Sequence, residues 1–232
     1  MAGNNQLCIV FLSSLFLLAG CSVTHLPDNF SHDSHRDQQI EINETISPDS
    51  ALAALIAPYA ERLESRMERE LVVSTGSFTK DKPEGSLGNL IADITRRRAS
   101  LEMKTWVDMS VINNGGLRRP LYKGPVTIGD IYELMPFENT LVILKMTGRQ
   151  VRELAEQIAR IGGEPVSGLR MRIENEQAYD IMAGSRIIAP DSTYWVATNS
   201  YLANGGGNMP ALHHSMEHIE TGVTIRQMII DY

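Results

Sequence analysis

A short apolar run, Met109-Ser110-Val111-Ile112, leads without a break into Asn113-Asn114-Gly115-Gly116-Leu117-Arg118, and no other stretch limits the fold of this chain so strongly. An apolar run of that length, bounded by turn-forming residues, fits a strand buried on both faces. The strand cannot continue beyond it. Two asparagines favour a turn, and two adjacent glycines lift the Cβ barrier to unusual backbone angles. The glycines also let a ligand lie against main-chain N–H groups, while Asn113, Asn114 and Arg118 bring side-chain donors to the same place. A buried strand ending in a donor-rich loop predicts a sheet with a site for a polar, anionic small molecule at its edge.

The remaining pattern sets other elements around that strand. Ser47-Pro48-Asp49-Ser50 offers a cap and a proline for the first helical turn, and Leu52, Leu55, Ile56, Tyr59, Leu63 and Met67 recur at helical spacing. They predict a helix over about 48–69 with a kink near Pro58. Residues 71–75 read as a strand, and Leu87, Leu90, Ile91 and Ile94 mark an amphipathic helix from near Ser86. Its Arg96-Arg97-Arg98 run points in three directions about 100° apart, so it reads as a solvated face that complements the helix dipole. Thr127 or Asp130 caps a short helix that ends before Pro136, and 140–146 is the next strand. Thr147-Gly148 then opens a helix striped by Val151, Leu154, Ala155 and Ile158 and closed by Gly162-Gly163. Strands at 169–173, 186–189 and 194–199 and a last helix over 223–230 complete the reading. Strands and helices mix without a strict βαβ period, which predicts a single α+β domain with a mixed β-sheet flanked by helices.

Length and charge narrow the function classes. The 232 residues supply one sizeable core and a tail. A net charge of −7 argues against nonspecific binding to nucleic acid or to an anionic membrane, and an anionic ligand needs local positive charge. Residues 1–20 carry no charged side chain and read as a secretion signal. Leu18-Ala19-Gly20-Cys21 resembles the lipobox of bacterial lipoproteins. That likeness implies a lipidated Cys21, and a domain anchored to a membrane and facing the periplasm or the cell exterior. Cys8 would be removed and Cys21 consumed, leaving no cysteine for a disulfide or a metal site. Residues 21–46, rich in Ser, His, Asp and Asn, read as a flexible tether that spans roughly 25–30 Å. The domain then covers 47–232.

Four motifs follow one another in order: Leu87-Gly88-Asn89-Leu90-Ile91-Ala92-Asp93, Val111-Ile112-Asn113-Asn114-Gly115-Gly116-Leu117-Arg118, Leu134-Met135-Pro136-Phe137 and Leu202-Ala203-Asn204-Gly205-Gly206. Together they resemble the C-terminal domain of the 5′-nucleotidase and UDP-sugar hydrolase family over most of residues 48–232. The resemblance implies that Asn113 and Arg118 contact a nucleotide, that Gly115 and Gly116 give it room, that Phe137 stacks on the base, and that Ser167 and Gly168 shape the pocket floor. Relatives close the opposite wall with an aromatic after a Gly-Gly-Asp turn and set an aspartate against the ribose. Here Gly207 replaces the acid and Met209 stands where that aromatic is expected. Lys80 and Lys82 lie near the place of an expected arginine.

In that family a separate N-terminal metallophosphatase domain carries two metal ions and the hydrolytic chemistry. Neither a catalytic residue nor a metal or other cofactor is expected in this chain. Asp33-Ser34-His35 matches only the first metal motif and falls in the tether. His214 and His218 would face one ion if helical, with His213 beside them, yet a third ligand is wanting. A Gly-x-Ser-x-Gly nucleophile elbow is absent too. The expected function is therefore the nucleotide-recognition half of a split 5′-nucleotidase in nucleotide catabolism, inactive alone and served by a separately encoded metallophosphatase with divalent metal ions. Two alternatives stand beside it: a stand-alone nucleotide- or metabolite-binding lipoprotein, and a degenerate interaction domain.

Overall fold

The computed structural model describes Asn43 and residues 45–232. The predicted signal, Cys21 and nearly all of the predicted tether lie outside the described residues. Residues 50–232 form one compact unit.

Its centre is the run Leu141-Val142-Ile143-Leu144, in which every residue is buried. A strand of that kind must be covered on both faces. It belongs to β4 (Thr140–Thr147), second in a five-stranded sheet ordered β10, β4, β9, β2, β5. These partners are β2 (Met109–Val111), β5 (Val166–Ser167), β9 (Thr193–Asn199) and β10 (Glu217–Thr224). β2 and β9 run parallel and all other pairs are antiparallel, so the sheet is mixed as the sequence predicts. Val142, Leu144 and Met146 share one core with Val151, Leu154, Ala155 and Ile158 of α4 (Gly148–Arg160). Leu141 and Ile143 join the other core, with Leu87, Ile91 and Ile94 of α2 (Ser86–Met103) and Ile225, Met228 and Ile229 of α6 (Ile225–Asp231). Each of these large side chains adds roughly 1.5–3 kcal/mol by leaving water.

Buried polar groups stitch β2 to α2 and to β9. Ser110 Oγ donates to the Ala92 carbonyl at 2.7 Å, and Thr198 Oγ1 donates to the Val111 carbonyl at 2.9 Å. Both hydroxyls are wholly buried, so these bonds fix where β2 ends. The predicted helix starts also hold. Thr127 and Asp130 form a reciprocal capping box at α3 (Ile128–Leu134), and Thr147 and Gln150 form another at α4.

Some elements depart from the sequence reading. α1 runs from Ser50 to Met67 as one element through Pro58, leaving Pro48 outside the helix. Four strands carry no apolar run and are not predicted: β3 (Gly124–Thr127), paired with β1 (Glu70–Ser74); the two-residue β5 at one sheet edge; β7 (Gln177–Ala183), between β6 (Leu169–Glu174) and β8 (Arg186–Ile187); and β10 at the other sheet edge. Edge and half-exposed strands need to bury only alternate residues, and Pro125 and the left-handed Asp180 further blur the pattern.

Candidate functional site

β2 and β9 are parallel neighbours, and β4 runs against β9, with Leu141 opposite Asn199. The carboxyl ends of the first two and the start of the third therefore open at one edge of the sheet. Three loops emerge there: 113–118, 135–139 and the segment beyond Asn199.

Asn199 ties two of them together. It is 1% exposed. Its Nδ2 donates to Asn113 Oδ1 at 2.9 Å, and its Oδ1 accepts from the Leu202 N–H at 2.9 Å, capping α5 (Ser200–Ala203). Next to it, Ser200 Oγ accepts from the Thr140 N–H at 3.1 Å and so fixes the third loop. Sequence reading did not single out Asn199. Replacing it with alanine should cost about 2 kcal/mol of unfolding free energy, because the buried Leu202 N–H and the half-buried Asn113 side chain lose their bonds. Denaturant titration measures that loss.

The first loop is a single tight turn. Asn114–Gly116 form a 3₁₀ turn, Leu117 is fully buried, and the Arg118 N–H donates to the Leu134 carbonyl at 2.8 Å. The glycines do not take the unusual backbone angles that the sequence invites, since neither Gly115 nor Gly116 has a positive φ. A Cβ on Gly116 would lie 3.4 Å from the Asn113 side chain, and one on Gly115 would lie 3.5 Å away. The Asn114 N–H donates to Glu164 Oε2 at 2.5 Å. Burial raises the Glu164 carboxyl above the ordinary glutamate range, and this bond together with Lys82 and Lys80 pulls it part of the way back.

Arg118 and Arg119 diverge. Arg119 is paired with Glu133 and with Asp130, the latter at 3.4 Å. The exposed Arg118 guanidinium instead lies 5.1 Å from the ring centre of Phe137, itself 37% exposed. A cation over an aromatic face is held with its remaining N–H donors directed outward. A second aromatic flanks the same edge. Tyr201 is 49% exposed, and its hydroxyl accepts from the Gly207 N–H at 3.2 Å. Gly206 presses so closely on its ring that a Cβ would sit 2.5 Å from Cζ. The sequence signal for Tyr201 was its position between a capping asparagine and the three-glycine turn, in a chain with few aromatics.

Other expected site residues lie elsewhere. Met209 is fully buried among the apolar residues of one core and offers no surface to a ligand. Its neighbour Pro210 opens a 3₁₀ turn that carries Ala211 and Leu212 inward with it. Ser167 is 5% exposed; its Oγ donates to Asp93 Oδ1 at 2.5 Å and accepts from Arg96 Nε at 2.9 Å. Ser167 and Gly168 line a cleft of about 630 Å³ bounded by α2 and β6, which reaches the first loop only through Glu164. Lys82 donates to the Ile161 carbonyl at the end of α4. The three arginines of α2 separate, as their spacing predicts. Arg96 meets Ser167 and Trp106, Arg97 meets Tyr232, and Arg98 pairs with Glu102 and Asp231.

The histidines do not share a helix. His213 and His214 follow the 3₁₀ turn edge to face, and His218 lies on β10 bonded to Glu220 at 2.9 Å. Among the described residues no group of three His, Cys, Asp or Glu side chains could hold a metal ion.

Against known proteins, residues 71–214 match the family described as 5′-nucleotidase, C-terminal domain. The chain belongs to that family. It is 26% identical over 85% of its length to a 5′-nucleotidase of Vibrio parahaemolyticus, of which the match covers 36%. It is 35% identical over 70% of its length to endonuclease YhcR of Bacillus subtilis, covering 14% of that protein. Among solved structures, a 5′-nucleotidase precursor from Thermus thermophilus shares the fold at a TM-score of 0.68 and 24% identity, over 80% of this chain and 40% of that one. The chain thus spans about a third of the length of the 5′-nucleotidase it matches. What this nucleotidase-type domain shares with the Thermus structure is its α+β fold.

Proposed function

We propose that this domain is the nucleotide-recognition half of a divided 5′-nucleotidase, with metal-activated hydrolysis supplied by a separate metallophosphatase chain. The observation that carries the reading is Arg118 stacked on the half-open ring of Phe137, free of a described carboxylate while its neighbour Arg119 is paired twice. In this reading Arg118 receives the phosphate, Asn113 and the exposed Gly115 receive the sugar edge, the buried Gly116 shapes the turn beneath them, and Phe137 and Tyr201 take the base. Tyr201 replaces Met209 as the second wall because Met209 has no exposed surface. Gly207 is left-handed at φ +69, a backbone conformation that an acidic side chain adopts only with strain, and so suits the turn around Tyr201. Ser167 and Gly168 support the loop from behind, by way of β5 and Glu164. The divalent ions belong to the partner in this reading. Export and anchoring through Cys21 to an exterior-facing membrane are part of the same proposal, and residues 1–42 would carry them.

Stacking on an aromatic is worth roughly 1–3 kcal/mol per base. Changing both Phe137 and Tyr201 to alanine should weaken binding of adenosine monophosphate at least thirtyfold in calorimetric titration and leave ribose 5-phosphate nearly unaffected. Equal losses for both ligands would refute the base-stacking role.

A further inference from the structure

α1 is stabilised by very little of the rest of the domain. None of its 18 residues is buried, and Leu55, Ile56, Tyr59 and Leu63 are 66, 51, 68 and 54% exposed. At about 100° per residue these four side chains fall within an arc of roughly 100°, a single apolar stripe. A helix of this length, with a proline inside it, is marginal in water unless such a stripe is covered.

Two observations point to the cover. The likeness to the Thermus structure takes in 80% of this chain, more than residues 68–232 can supply, so the shared fold extends into α1. α1 also lies directly before residues 71–214, which match a domain described as C-terminal, and the match covers only 36% of the longer Vibrio relative. The second observation is mechanical. The Ile128 N–H donates to the Arg69 carbonyl just beyond α1 at 3.0 Å, and Gly129 packs on Met67 so closely that a Cβ would meet its carbonyl at 3.3 Å. α3 begins at that contact, and its far end provides the Leu134 carbonyl that holds the Arg118 N–H. A body seated on α1 therefore stands one helix of roughly 10 Å from the loop that presents Arg118.

We infer that the Leu55, Ile56, Tyr59 and Leu63 face of α1 is the docking surface for the metal-bearing phosphatase half, an inference that rests on the divided-enzyme reading above. A lipid surface fits less well. The charged residues of α1 are two acids and two arginines, Glu61, Arg62, Glu64 and Arg66, which give no basic margin for anionic headgroups.

The test places a photo-crosslinking benzoylphenylalanine at position 59 or 63 of the full chain in its native host, with position 61 on the opposite side as control. Expected is a crosslink from 59 and 63, absent from 61, to a chain whose sequence carries the Asp, His and Asn ligands of a metallophosphatase. Crosslinks to lipid, to a second copy, to residues 1–42 of the same chain or to an unrelated protein would overturn the inference. So would a signal no stronger than at 61. In parallel, the full-chain variant L55E/L63E should lower nucleotide hydrolysis by the isolated pair at least tenfold, with the nucleotide affinity of the chain unchanged by calorimetry. If a phosphatase half associates and hydrolysis survives in that variant, the surface assignment fails and the divided enzyme stands. If no phosphatase half associates with the unaltered chain, both fail.

Discussion

Arg118→Ala is expected to weaken binding of a nucleoside monophosphate about a hundredfold while leaving the fold intact. A charge-assisted hydrogen bond contributes about 1.5–3 kcal/mol, and the guanidinium presents its donors as a pair that matches phosphate oxygens. A loss of about 3 kcal/mol corresponds to roughly two powers of ten in Kd. The side chain is exposed and rests on Phe137, so its removal deprives the core of nothing. Surface changes of that kind shift stability by about 0.5 kcal/mol or less. Arg119→Ala supplies the contrast, because that arginine is spent on Glu133 and Asp130 and should leave affinity where it was. Arg118→Lys should fall between the two, keeping the charge and losing the planar fork. Calorimetric titration of the three variants against one nucleotide decides the matter, and equal affinities would remove Arg118 from the site.

The largest stability effect is expected at Gly168. Its φ is +73, and a Cβ there would lie 2.2 Å from the Asp108 carbonyl oxygen. Neither side can retreat. The Asp108 N–H donates to the Trp195 carbonyl at 3.1 Å and its Oδ2 accepts from the Trp195 N–H at 2.8 Å, while the Gly168 carbonyl accepts from the Gly184 N–H at 2.7 Å. Left-handed strain of about 1–3 kcal/mol adds to an overpacking cost of similar size. Gly168→Ala should therefore cost about 4 kcal/mol and lower Tm by roughly 8–16 °C for a domain of this length. Gly115→Ala is the control: its Cβ meets nothing closer than 3.5 Å and its φ is ordinary, so Tm should hardly move. Thermal melts of the two variants show which glycine the backbone demands.

That contrast explains what the sequence disclosed. Patterns produced by burial were readable, because β4 and the Val151-Leu154-Ile158 stripe of α4 must hide apolar atoms on a fixed period. The capping threonines were readable for a similarly local reason: the bonds they make span three residues. β7 and β10 were not, since their pairing is set by distant partners and their faces stay half in water. In the candidate site, Arg118 and Phe137 stood out through the motifs that hold them, and the structure sets them in contact. The sequence pointed to Met209, which is buried, and not to the exposed Tyr201 that we propose for the second wall, because the direction of a side chain after a glycine turn depends on the turn itself. The three-glycine turn wraps the ring of Tyr201 while the chain carries Met209 into the core. Asn199 was missed because its partner Asn113 lies 86 residues away. Gly168 lines a cleft, and the approach of the Asp108 backbone also requires a glycine there, which no local pattern in the sequence shows.

Recognition without chemistry is the central claim, and phosphorus NMR of a nucleoside monophosphate mixed with the full chain tests both parts in one sample. Expected is a nucleotide phosphate signal that shifts and broadens with added protein, with no inorganic phosphate appearing after a divalent metal is supplied. An unchanged nucleotide signal, or inorganic phosphate released by this chain alone, would contradict it.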